Sequence, residues 1–205
     1  VTDLAALETE VRACRHCAAH LPLGPRPILH VSTNAPVLIT SQAPGTAVHA
    51  KGLSFWDASG DRLRAWLGVD RDAFYDVDRF AILPMGLCYP GRLPQGGDAP
   101  PRPECAPLWR ERILAAMPQI RLTLLVGTYA QDYALGRGTM TDRVRHFQRY
   151  LPSCFPLPHP SWRTAEWERK NPWFGQEVIP ALRSALADAF AADAQPFVDI
   201  SRTLA

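Results

Sequence analysis

Four short, uninterrupted apolar runs constrain this chain more than any other feature. They are Pro36-Val37-Leu38-Ile39-Thr40, Phe80-Ala81-Ile82-Leu83-Pro84-Met85, Leu122-Thr123-Leu124-Leu125-Val126 and Cys154-Phe155-Pro156-Leu157. A strand with one wet face alternates apolar and polar residues, whereas a strand covered on both faces reads as a continuous apolar run. The segments between the runs carry helical signals. Leu4, Leu7, Val11 and Cys14 recur at helical spacing, which predicts a helix over 3–18. A second helix follows over 61–67, capped from within 57–59 and stopped by Gly68. Further helices are expected over 104–117, 129–135, 141–150 and 172–191, the last with Pro172 in its first turn and a bend at Pro180. Strands alternating with helices specify an α/β fold. The expectation is a three-layer α/β/α arrangement around a central parallel sheet of about four strands.

The chain has 205 residues, 47% of them hydrophobic, enough for one well-cored domain. We place that domain at 1–190 and a weakly patterned C-terminal tail at 191–205. No apolar run reaches the roughly 20 residues that span a bilayer. The N-terminus lacks the basic-then-apolar order of a signal peptide. A cytoplasmic monomer without membrane contact is the expectation. The formal charge of +2 does not by itself point to nucleic acid. Lys51 and Lys170 are the only lysines, so the positive charge is almost all arginine. Arginine suits bidentate phosphate contacts, although GC-rich coding produces the same bias.

Open parallel sheets bind ligands at the carboxyl ends of their strands. Two turns with chemical potential sit at such ends. Gln42-Ala43-Pro44-Gly45 follows the first run, and Pro158-His159-Pro160-Ser161 follows the fourth. The prolines on either side of His159 fix the backbone around it. Downstream of the first turn, Phe55 and Trp56 offer an aromatic platform or a piece of core. The five cysteines do not suggest disulfides in a reducing compartment. Cys154 falls inside the fourth run and reads as an ordinary buried residue. For Cys14, Cys17, Cys88 and Cys105, spacing alone leaves a cluster, a zinc ion and four separate thiols open.

Taken together, these residues resemble the uracil-DNA glycosylase superfamily, and within it the iron–sulfur family 4 branch, from about Cys14 to Ala185. In that branch the first turn reads Gly-Glu-Ala-Pro-Gly, and a Gly-Arg-Pro-Phe segment downstream supplies a phenylalanine that stacks on a flipped base. Gly52-Leu53-Ser54-Phe55 falls at the matching distance, which implies that role for Phe55. An aromatic face compensates the stacking a base loses on leaving the duplex. The resemblance implies hydrolysis of the N-glycosidic bond of uracil or another deaminated base in DNA, as in base excision repair. His159 would donate to the base as negative charge builds on it. Gln42 and the backbone of Ala43, Pro44 and Gly45 would hold water or sugar. Ser161, Trp162 and Arg163 would hold DNA, with Trp162 as a wedge and Arg163 on phosphate. Arg169 and Lys170 read equally as DNA-facing charges and as a solvated helix face. A [4Fe–4S] cluster would sit on Cys14, Cys17, Cys88 and Cys105, with zinc or no group as the alternatives.

Two positions depart from the family pattern. Gln42 stands where an acidic residue orients water, and an amide is no general base. His49 and Asp57 are its nearest replacements in sequence. Pro84 stands where an asparagine reads the base edge, which leaves the backbone N–H groups of Met85 and Gly86 for that task. The rival reading is a non-catalytic protein that binds single-stranded or damaged DNA on the same fold. A small-molecule enzyme with a phosphate site is weaker, because no Gly-rich phosphate loop is present.

Overall fold

The computed structural model describes residues 3–191; the expected tail, beyond its first residue, lies outside the described residues. Four strands form at the four apolar runs: β1 (Val37–Thr40), β2 (Phe80–Ile82), β3 (Leu122–Val126) and β4 (Cys154–Leu157). They pair in parallel in the order β2-β1-β3-β4. Every strand residue is buried, and the side chains alternate between two cores. Val37, Ile39, Phe80, Ile82, Leu122, Leu124, Val126, Phe155 and Leu157 enter one. Leu38 and Ala81 enter the other, while Leu125 and Cys154 belong to a smaller cluster with Met85. The period of two with both faces apolar is what makes the runs continuous in sequence.

The helices are α1 (Leu4–Arg12), α2 (Thr46–Lys51), α3 (Ala58–Leu67), α4 (Arg71–Tyr75), α5 (Cys105–Ala115), α6 (Thr128–Leu135), α7 (Met140–Arg145), α8 (Thr164–Lys170) and α9 (Ile179–Ala191). α1 and α5 cover one face through Leu7, Val11, Trp109 and Ile113. α3 and α9 cover the opposite face through Leu63, Trp66, Leu182 and Leu186. The result is a three-layer α/β/α fold. The strand order turns back at β1, so the crevice of the sheet opens where β1 and β3 end. Among the described residues, no helix is long and apolar enough to cross a membrane.

Several elements differ from the sequence expectation, among them the helix expected over 141–150, which ends at Arg145 and gives way to a 3-10 turn over Phe147–Tyr150. α1 stops at Arg12, and Cys14 N–H donates to Val11 O in a tightened turn, so Cys14 and Cys17 lie beyond the helix. The second strand is only three residues long: just past Ile82 the Leu83 carbonyl accepts from the Thr40 hydroxyl and from Arg110 Nη1, both at 3.2 Å, rather than from a β1 N–H. The closing helix opens with a π turn, Phe174–Val178, in which Ile179 N–H donates to Phe174 O. That wide turn makes room for the ring of Pro180, which cannot bond the previous turn.

Candidate active site

A cleft of about 520 Å³ opens at the carboxyl end of the sheet. The turn after β1 forms its floor through Ser41, Gln42, Ala43, Pro44 and Gly45. Ser54, Phe55 and Asp57 come from the segment between α2 and α3, and Ser59 from the first turn of α3. Pro84 follows β2, His159 follows β4, and Asp98 reaches in from the long loop ahead of α5. Gln42, Phe55 and His159, chosen from three distant stretches of sequence, therefore face one space. Trp56 does not line it. Its indole packs under Lys51 and Arg71, whose cationic groups lie 4.9 and 4.4 Å from the ring.

Phe55 is held in an uncommon backbone state. Its φ is +58°, a strained conformation for a bulky side chain. Two features of α3 fix it there. A Cβ on Gly60 would lie 1.7 Å from the Phe55 carbonyl oxygen, so only glycine lets the helix approach that closely. The buried Arg64 donates to the same carbonyl at 3.4 Å. The ring then lines the cleft while meeting Phe74 edge-on at a centroid distance of 6.1 Å. Phe55 is both core and cleft wall. Beside it, the hydroxyl of buried Ser54 has no hydrogen-bond partner among the described residues.

His159 packs over Gly127, where a Cβ would meet its own at 3.3 Å. Its carbonyl accepts from Ser161 N–H at 2.8 Å and from the Thr164 hydroxyl, which locks the turn. Burial pushes the imidazole pKa down, against the opposing pull of the Asp57 and Asp98 carboxylates. A neutral imidazole carries one donor and one acceptor. Such a ring supplies an N–H to a developing anion without first being paired as a cation. Asp57 is partly committed elsewhere: its Oδ1 accepts from Gly60 N–H at 3.0 Å and caps α3.

Met85 and Gly86 do not do what their sequence position suggests. Their N–H groups donate to the Ser41 and Gln42 carbonyls, both at 2.8 Å, extending the β1–β2 pairing past Pro84. Neither donor is left to read a base, and the Met85 side chain is buried with Ala106 and Leu125. This corrects the backbone-reading expectation. His49 also lies off the cleft, with its ring 6.1 Å from that of Tyr89. Ser161, Trp162 and Arg163 follow the His159 turn outside the cleft. Trp162 is 76% exposed, with the Arg163 guanidinium 5.2 Å from its ring. Arg169 and Lys170 end α8 and are exposed, as either of their readings requires.

Asp98, Ser54 and Ser59 escaped the sequence reading. Asp98 carries no motif, since it sits in an irregular Pro/Gly-rich loop that closes on itself through a bridge to Arg92.

A second cavity, of about 430 Å³, is lined by Cys14, Cys17, Cys88 and Cys105 together with Leu21, Pro25, Pro27 and Trp109. All four are free thiols. Leu87 N–H points at the Cys105 sulfur at 3.4 Å. Burial, with the neighbouring thiols adding to it, pushes Cys88 and Cys105 up to about 11. Among the described residues, no three His, Cys, Asp or Glu side chains are grouped so as to hold one metal ion. Cys154 is buried outside this cavity, as expected.

The family model of the uracil DNA glycosylase superfamily matches residues 29–183 of the chain.

Proposed function

The chain belongs to the uracil DNA glycosylase superfamily, and we propose that it hydrolyses the N-glycosidic bond of uracil or another deaminated base in DNA. The observation that carries this reading is the convergence of Gln42, Phe55 and His159 on one cleft at the carboxyl end of the sheet. A base flipped into the cleft stacks on Phe55. As the bond to the sugar breaks, negative charge collects on the base, and the neutral His159 ring donates to it. Gln42 and the Ala43–Gly45 backbone hold the water and sugar. Ser54 lines the same cleft with a hydroxyl that has no partner among the described residues, and it would read the base edge in place of the absent asparagine. Trp162 and Arg163 stand outside the cleft, where the strand would run. The substrate is DNA, water is the acceptor, and the site left behind is abasic.

Cys14, Cys17, Cys88 and Cys105 are proposed to hold a [4Fe–4S] cluster. The donor set fits. Four thiols share one largely apolar cavity, a backbone N–H faces one sulfur, and a cluster binds each thiolate to a different iron, so no single-ion grouping is needed. A single zinc ion would require the sulfurs to close around one point. When bound, the cluster supplies a cross-link between the turn after α1, the exit of β2 and the start of α5. Protein purified without oxygen should be brown and contain iron and acid-labile sulfide in equal amounts. A folded, colourless, iron-free protein overturns this assignment.

The glycosylase reading is tested by base release from single-stranded oligonucleotides containing uracil, hypoxanthine or xanthine, read as alkali-labile cleavage. Cleavage of one of these strands, with a His159→Ala rate about 100- to 1000-fold lower, is expected. DNA binding without release from any strand supports the binding-protein alternative instead.

A further inference from the structure

The first turn of the cleft lacks a base, because the Gln42 amide cannot accept a proton from water. Two carboxylates line the cleft, Asp57 and Asp98. Asp57 caps α3, so its orientation is set by the helix it starts. Asp98 is exposed and has no side-chain hydrogen bond or ion pair among the described residues, and the backbone of its loop holds it in place. Its backbone bridges to Arg92, Leu93 N–H donates to Gly97 O at 2.9 Å, and Ala99 N–H donates to Gly91 O at 2.9 Å. These contacts bring Asp98 over the first turn, where its Oδ2 lies 3.3 Å from the place a Cβ of Gly45 would take. The titratable and charged groups near it are the neutral His159 ring, the Asp57 carboxylate and Arg163, whose Nη1 lies 3.8 Å from the Cβ position of Gly97.

We propose that Asp98 is the general base that the first turn lacks, supplied from the loop between Cys88 and Cys105. This rests on the glycosylase reading. A water held by Gln42 and the Gly45 turn bonds through its oxygen to C1′ of the sugar. The C1′–N bond breaks, and its electron pair leaves with the base toward His159. Asp98 takes the proton that the water loses, and that proton passes through solvent to the released base. The sum is one water added across one bond. The carboxylate also faces the positive charge that develops on the sugar, which is a second reason for its place.

The test uses the full chain and whichever base the wild type releases. Single-turnover release is measured for Asp98→Asn and Asp98→Ala, the latter with and without added formate. Thermal midpoints and binding to an oligonucleotide with a tetrahydrofuran abasic site are measured in parallel. We expect release to fall about 10²- to 10⁴-fold in both variants, with midpoints and abasic-site binding unchanged. Formate should restore part of the Asp98→Ala rate, which a purely structural residue would not allow. Near wild-type release by Asp98→Asn overturns the assignment while leaving the glycosylase reading intact. So does a loss of release that formate leaves untouched and a falling midpoint accompanies. A wild type that releases no base overturns both.

Discussion

At the scale of single residues, the site depends on one tight approach. Gly60 is placed where any side chain would meet the Phe55 carbonyl at 1.7 Å, and that carbonyl is backbone that cannot rotate away. Gly60→Ala should therefore destabilise the fold by about 2–4 kcal/mol, at the upper end of overpacking costs or beyond them. The shift in the denaturant midpoint checks it. Asp57 and Arg64 brace the same point from either side. The histidines carry a pH dependence. Burial is the leading cause that holds His30, His49 and His159 below their ordinary pKa. The unfolded chain takes up these protons near pH 6.5, where the folded chain still refuses them. Stability is thus fully present above about pH 6.5 and is lost as pH falls below it. Unfolding free energy measured between pH 7.5 and 5.5 should decline, and His30→Gln should make the decline shallower.

At the scale of elements, the strands were legible and the short helices were not. A strand covered on both faces announces itself as an apolar run. α2 and α4 are too short for periodicity to register, and α1 ends where a tightened turn, not a composition change, stops it. Met85 was misread for a related reason. It ends the second apolar run, and its N–H, expected to be free for a base, pairs with β1 while its side chain turns into the core. The closing helix is tied to α3, its neighbour in the same layer, through Arg183, which donates to the Trp66 and Ala65 carbonyls at 3.1 and 2.8 Å. These are carbonyls in the last turn of α3, where a cation also complements the helix dipole. Arg183→Ala should cost about 1–3 kcal/mol. The thermal midpoint should fall accordingly, with Arg183→Lys recovering only part of the loss.

At the scale of the whole molecule, Gln42, Phe55 and His159 were readable because each lies on or near a motif at a strand end. Asp98 was not, because only the folded loop brings it to the first turn. Outside the cleft, Trp162 and Arg163 form the most exposed aromatic and cationic pair on the rim. If single-stranded DNA runs past them, Trp162→Ala should weaken binding by about 1–3 kcal/mol. Arg163→Ala should lower the slope of log affinity against log salt by about one. Titrations at several salt concentrations separate the two effects. Gly86 belongs to this scale too. It borders the cysteine cavity, and a Cβ there would meet Pro101 at 2.9 Å and Ala43 at 3.3 Å. Gly86 on the cysteine side and Ala43 on the cleft side are thus close-packed neighbours between the two chambers. Redesigning the inner side of the cleft means rebuilding the room next door, so new base preferences have to be written on the outer rim.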